Sequence, residues 1–93
     1  MGSLRIERRM GQNLTLDVAS MNSMVSLANI MATGKATIPQ EYRSESVMVF
    51  AEVDEDDPQM MHVNISNIDF GTDDLEQAKQ VAIDVSEAIM QDI

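Results

Sequence analysis

The residues most able to bind a ligand or take part in chemistry are four consecutive acids, Asp54, Glu55, Asp56 and Asp57. Carboxylate oxygens are the ligands that calcium and magnesium prefer, so such a run raises the question of a cation site. The run lacks the spacing and the glycine of a calcium-binding loop, and side chains adjacent on a turn cannot all converge on one ion. The sequence therefore predicts a solvated turn here and no metal site.

His62 is the only imidazole in the chain. A general base needs a nucleophile or an acid partner within hydrogen-bond reach, and no spacing in the sequence indicates one for His62. The chain also lacks cysteine, a second histidine and a glycine-rich phosphate loop. We therefore expect no catalytic residues, no metal and no cofactor, predict that the protein is not an enzyme, and interpret His62 as a surface or cross-strand residue.

Charge is divided unevenly along the chain. Residues 1–45 carry four acids and five bases, whereas residues 46–93 carry twelve acids and Lys79 as the single base. The halves therefore differ as +1 against −11, and a surface of one sign steers association and repels nucleic acid and anionic membrane. With three aromatic residues and one basic cluster, Arg5, Arg8 and Arg9, direct nucleic-acid binding is not expected.

The length and composition favour one folded domain over residues 1–93. The longest uncharged segment, Val18 to Gly34, contains Ser, Asn and Thr and is too short to span a bilayer, and the N-terminus has no apolar signal segment. We therefore expect a cytoplasmic protein without a membrane partner.

Four segments alternate apolar and polar residues, a pattern typical of strands. They form two predicted hairpins, residues 4–7 with 14–18 and residues 47–53 with 61–66. Turn residues separate the strands of each pair, around Gly11 in the first hairpin and around Pro58 in the second.

A first helix is predicted to begin at Ser20 and to end at Gly34 in a left-handed conformation. The apolar stripe expected to face the core consists of Met21, Met24, Val25, Ala28, Met31 and Ala32. The opposite face consists of Asn22, Ser26, Asn29 and Thr33. Since uncharged polar residues satisfy hydrogen bonds in an interface without the desolvation penalty of ions, the neutral helix is either an interface or an ordinary solvated face.

A second helix is predicted after Thr72 or Asp73, either of which can cap it. Its core stripe is Leu75, Ala78, Ala82, Val85, Ile89 and Ile93. Its outer stripe is Asp73, Glu76, Gln80, Asp84, Glu87 and Gln91. Such a division of apolar and polar residues is that of an amphipathic helix.

The element order predicts an α+β fold: a ββαββα two-layer sandwich, in which a four-stranded, largely antiparallel sheet has two helices on one face. Met48 and Phe50 would then lie on the open face of the sheet, where water is expected. Either the long loop around Ile38 and Tyr42 covers them, or another chain does. Ile83 and Met90 flank the stripe of the last helix and raise the same question.

These features favour a non-enzymatic acidic protein-binding module, an accessory, adaptor or inhibitory factor whose C-terminal carboxylates meet a partner protein with a basic surface. The expected contact residues are Asp54, Glu55, Asp56, Asp57, Asp73, Glu76, Asp84 and Glu87, with Met48 and Phe50 as apolar anchors. One alternative is a nucleic-acid mimic that inhibits a DNA- or RNA-binding enzyme through its carboxylates. Another is a small chaperone-like or assembly protein that works as a homodimer.

Overall fold

In the computed structural model, which describes residues 2–8, 12–19 and 22–91, the chain forms an antiparallel sheet and two helices. The strands are β1 (Gly2–Arg8), β2 (Gln12–Ala19), β3 (Met48–Val53) and β4 (Met60–Ser66). The helices are α1 (Ser23–Thr37) and α2 (Leu75–Gln91), and a single 3-10 turn spans Gln40–Tyr42. The α+β class predicted from the sequence is confirmed.

The strand order in the sheet is β1-β2-β4-β3. Each strand pairs antiparallel with its neighbour, and β2 and β4 lie at the centre. Buried side chains lie on β2, β3 and β4. In β1, the Arg5 side chain is exposed.

The core lies on one face of the sheet because apolar residues alternate along the central strands. From the strands it contains Leu14, Leu16, Val18, Ala51, Met61, Val63 and Ile65. From α2 it contains Ala78, Ala82, Val85 and Ile89, so this part of the predicted stripe is confirmed. Leu75 is 49% exposed, contrary to prediction, because it is the first residue of α2, and Ile93 lies outside the described residues.

The orientation of α1 is opposite to the prediction. Its buried residues are Ser23, Ser26, Ile30 and Gly34, while Met24, Val25, Ala28, Met31 and Ala32 are exposed. The physical reason is close packing, since α1 packs chiefly against β3. A Cβ at position 34 would lie 2.9 Å from Cγ1 of Val49, so a glycine is needed at this point of the inner face, next to the buried Ile30.

The ends of α1 also differ from the prediction. The N-cap is Asn22, whose side-chain oxygen accepts a hydrogen bond from the amide of Val25 at 3.3 Å. The predicted cap, Ser20, lies outside the described residues, as does Met21. The helix continues through Gly34 to Thr37. It ends before Pro39 because proline disfavours helical backbone angles at the residue that precedes it, which is Ile38.

The segment after α1 packs into the core and does not cover the open face of the sheet. Ile38 is buried, and Tyr42 packs against the same cluster, with its carbonyl accepting a hydrogen bond from the amide of Asp69 at 2.9 Å. Met48 and Phe50 remain 62% and 54% exposed. Of the two alternatives for these residues, cover by this segment is not found, and cover by another chain stays open.

The start of α2 is held by Asp74. Its Oδ1 accepts hydrogen bonds from the amides of Glu76 and Gln77 at 2.9 and 3.4 Å, and Thr72 Oγ1 accepts from the amide of Asp74 at 3.0 Å. Asp74 therefore takes the capping role predicted for Thr72 or Asp73. Within the described ranges, neither helix is long and apolar enough to cross a membrane.

Candidate functional site

The outward side of α1 is the largest departure from the usual placement of apolar residues in this fold. We call it the apolar face of α1 and define it as Met24, Val25, Ala28, Met31 and Ala32. The three large side chains, Met24, Val25 and Met31, are 66%, 54% and 55% exposed. A contiguous apolar helix face of this kind on a small protein marks an interaction surface.

The segment of the chain that carries the apolar face is uncharged. From Val18 to Gly34 the sequence has no ionisable side chain, and the first charge after it is Lys35, which is exposed near the end of α1. Burying this face therefore requires no ion to be desolvated. Contact with another protein would therefore remove these side chains from water without the desolvation free energy of a buried ion.

A second feature lies on the open face of the sheet, where His62 is held between two carboxylates. Asp17 of β2 is the register partner of His62 in β4, and its Oδ1 lies 2.7 Å from His62 Nδ1. The other ring nitrogen, Nε2, lies 2.7 Å from Oδ2 of Asp54. All three side chains retain about a third of their exposure. The arrangement suits an imidazolium that donates a hydrogen bond to each carboxylate.

The two carboxylates perturb the titration of this cluster. The hydrogen bond to Asp17, and to a smaller extent that to Asp54, raise the pKa of His62 above its ordinary value. Partial burial acts in the opposite direction and lowers this pKa. The hydrogen bond from His62, followed by that from the amide of Asp56, lowers the pKa of Asp54. Since both ring nitrogens are engaged by carboxylates, His62 joins β2 and β4 to the turn between β3 and β4.

An open depression of about 480 Å³ lies beside this cluster. It is lined by Glu52, Val53, Asp54, Glu55 and His62. Its carboxylates suit a cationic group better than an anion. Among the described residues, no group of three His, Asp or Glu side chains is arranged to hold a metal ion.

The His62 cluster predicts a specific pH dependence of stability. Because the folded protein holds the His62 proton more tightly than the unfolded chain, this contribution is fully present below the ordinary pKa of 6.5 and is lost as pH rises through the raised pKa. We expect the free energy of unfolding to fall by about 1 kcal/mol or less, since solvent screens the pair. Urea denaturation at a series of pH values measures it.

The control for this prediction is His62→Gln, which keeps a polar side chain but cannot titrate. Its unfolding free energy is expected to vary less with pH than that of the wild type above the ordinary histidine pKa. An identical pH profile for the two proteins would show that His62 is not the titrating group.

The turn between β3 and β4, residues 54–59, is called here the hairpin tip. Asp54 Oδ1 accepts hydrogen bonds from the amides of Asp56 and Asp57 at 2.8 and 3.1 Å, and Asp57 Oδ1 accepts from the amide of Gln59 at 3.0 Å. Two of the four acids in the run therefore shape the turn by Asx-type hydrogen bonds. Glu55 and Asp56 are exposed at the tip.

The acids expected to contact a partner lie on two parts of the chain. One group is at the hairpin tip. The other group is exposed just before α2 and along it, and consists of Asp73, Glu76, Asp84 and Glu87. Lys79 of α2 lies near this second group, with its Nζ 3.6 Å from Glu76 Oε1. Strand β4, whose seven residues span roughly 23 Å, separates the hairpin tip from the start of α2.

The predicted apolar anchors lie on the open face of the sheet. Met48 and Phe50 are on the open face of β3, in register with Ser66 and Asn64 of β4. The alternation of β3 turns this face away from the buried Ala51, and so away from the core that α1 and α2 cover. The ten predicted contact residues therefore lie on the hairpin tip, on α2 and on the open sheet face. The apolar face of α1 was not among them, although the uncharged segment Val18–Gly34 signals it.

No protein-family model, curated protein sequence or solved structure matches this chain. Function is therefore inferred from the geometry and chemistry of the described surfaces.

Proposed function

We propose that the protein is a non-enzymatic, cytoplasmic protein-binding module, of the accessory or assembly kind, that engages its partner through the apolar face of α1. The observation that carries this proposal is the exposure of Met24, Val25 and Met31 on one side of α1, in a sequence segment without charge. Fully burying a side chain of this size contributes about 1.5–3 kcal/mol. Covering the three together favours association, and the surrounding contacts must add to it, because the entropic cost of binding is about 4–15 kcal/mol.

The scaffold of this proposal is the ββαββα two-layer arrangement, with β1 as the outer strand of a four-stranded sheet and both helices on one face. Packing of α1 against β3 through small residues holds the helix close to the sheet. A helix fixed in this way presents its outer side chains without further ordering, which lowers the cost of binding.

The exposed carboxylates have a secondary role in the proposal. Asp84 and Glu87 on α2, and Glu55 and Asp56 at the hairpin tip, favour a partner that brings a basic side chain to the rim of the contact. Such charges act mainly on the rate of association and on partner choice. A nucleic-acid mimic would use α2 as its main contact. Substitutions in α2 would then abolish binding, whereas the proposal expects this effect from substitutions in α1.

The test compares two matched double variants, each of which changes two exposed side chains and keeps their size. Met24→Gln with Met31→Gln removes apolar character from α1, and Asp84→Asn with Glu87→Gln removes charge from α2. The wild type and both variants are immobilised, and proteins retained from the native host are quantified. We expect the α1 variant to lose about tenfold or more of a specific partner, and the α2 variant to lose about threefold or less.

The melting temperature of each variant shows whether the fold is intact, and exposed positions of this kind are expected to change it little. Selective loss in the α2 variant would support the carboxylate-based alternative and contradict the proposal. Equal retention by all three proteins would also overturn it.

A further inference from the structure

We infer that the partner seated on the apolar face of α1 is a second copy of this chain, held by an antiparallel pair of α1 helices across a two-fold axis. The inference rests on the proposed function, because it uses the same face. It goes further by naming the occupant and its orientation. A two-fold contact requires each copy to present the same surface to the other.

The distribution of charge indicates where two copies can meet. Each chain carries a net charge of −10, so most pairings bring like charges together. Contact through α2 would oppose Asp84 and Glu87 to the same acids in the other copy, and contact through the hairpin tips would do the same. The apolar face of α1 lies in the uncharged segment Val18–Gly34 and avoids this repulsion.

The orientation of the pair follows from the charges at the two ends of α1. Lys35 lies near its C-terminal end and is exposed. At the other end, the Ser23 hydroxyl donates a hydrogen bond to the carbonyl of Pro58, which places the hairpin tip beside the start of the helix. A positive charge therefore lies at one end of α1, and the exposed acids Glu55 and Asp56 lie near the other.

An antiparallel pair brings Lys35 of each copy toward the hairpin tip of the other. A parallel pair would place Lys35 beside its own symmetry mate and one acidic tip beside the other. The antiparallel arrangement thus gains two attractive contacts where the parallel one meets two repulsive ones. These charges lie at the rim of the contact, so they select orientation more than they add affinity.

The side chains of the apolar face fit a close crossing of two helices. Ala28 lies midway between Met24 and Ala32, and its small side chain allows the helix axes to approach within about 8–10 Å. The fifteen residues of α1 extend about 22 Å, so the contact is at the low end of the size range of specific interfaces. A reversible dimer whose population depends on concentration is therefore expected.

Engineered cysteines test the geometry directly, because the chain contains no cysteine of its own. Ala28→Cys places a thiol near the two-fold axis, where it meets its own copy, and mild oxidation is expected to give a disulfide-linked dimer. Ala36→Cys is the matched control on the same exposed helix. It lies eight residues away, so the two copies would be about 24 Å apart, beyond the Cα separation of roughly 7 Å that a disulfide allows.

Sedimentation velocity over a range of concentrations tests the apolar contact and the pairing of Lys35 with the hairpin tip. The wild type is expected to dimerise reversibly. The double variant Met24→Gln with Met31→Gln is expected to remain monomeric. Lys35→Glu is expected to weaken dimerisation about tenfold. Adding Asp56→Lys to Lys35→Glu exchanges the signs of the pair and is expected to restore most of the loss, which a merely structural effect of either substitution would not do.

A wild type that stays monomeric at every concentration, without an Ala28→Cys disulfide, would overturn the inference. If a host protein is still captured through the apolar face in that case, the proposed function stands and the self-association alone fails. If neither a dimer nor a captured partner is found, both fail. Equal disulfide formation at positions 28 and 36, or no rescue by the charge exchange, would overturn the antiparallel arrangement.

Discussion

Replacing Phe70 with alanine is expected to lower the free energy of unfolding by about 4 kcal/mol. Phe70 is 1% exposed and is the largest fully buried side chain among the described residues. Its amide donates a hydrogen bond to Gln12 Oε1 at 2.8 Å, and the amide of Ile68 donates to the Gln12 carbonyl at 2.8 Å. The segment is therefore fixed against β2, and the core cannot easily collapse into the space that the ring leaves.

Phe50→Ala provides the matched control, since it removes the same atoms from a side chain that is 54% exposed. Its effect on the free energy of unfolding is expected to stay within about 0.5 kcal/mol. Urea denaturation of both variants measures the difference. Similar losses at the two positions would show that Phe70 does not anchor the core as described.

The regular elements of this fold are predictable because their apolar residues repeat at a fixed period. In β2 and β4, the alternation of apolar and polar residues leaves one choice of buried face. In α2, the apolar stripe does the same, with Ala78, Ala82 and Val85 on one side. Ile68 and Phe70 have no such periodicity around them. Their place in the core depends on hydrogen bonds from a loop to residues more than fifty positions earlier in the chain, which no local pattern indicates.

The inverted orientation of α1 shows a limit of periodicity. The outer residues Met24, Ala28 and Met31 and the inner residues Ser23, Ile30 and Gly34 repeat at the same helical spacing. Hydrophobicity alone selects the methionine side for the core. Close approach of the helix to β3 selects the side that combines Ile30 with Gly34, and this distance is a tertiary property. The rule that places apolar residues inside also assumes that the chain has no partner.

The His62 cluster could not be predicted from the sequence because it depends on strand register. Asp17 is 45 residues away from His62 in sequence and meets it because β2 and β4 pair at that position. The buried face of β2 and β4 fixes which residues point outward, but a shift of two residues would keep this alternation and change which outward residues are opposite each other. The run at Asp54–Asp57 indicates a turn, but its internal hydrogen bonds follow from the folded hairpin.

Replacing Gly34 with leucine is expected to lower the free energy of unfolding by about 3 kcal/mol. A Cβ at this position would lie 2.9 Å from Val49 Cγ1 and 3.4 Å from Ile30 Cγ2, and the further atoms of leucine have no room between α1 and β3. Leucine favours the helix over glycine by up to about 1 kcal/mol, which offsets only part of the strain. Urea denaturation measures the net effect.

Ala36→Leu adds a similar side chain at an exposed position of the same helix and is expected to change stability by about 0.5 kcal/mol or less. Adding Val49→Ala to Gly34→Leu should recover part of the loss, because it removes the methyl groups nearest to the new side chain. A Gly34→Leu protein as stable as the wild type would mean that α1 does not lie this close to β3. Close packing at position 34 would then not explain why the methionines of α1 face outward.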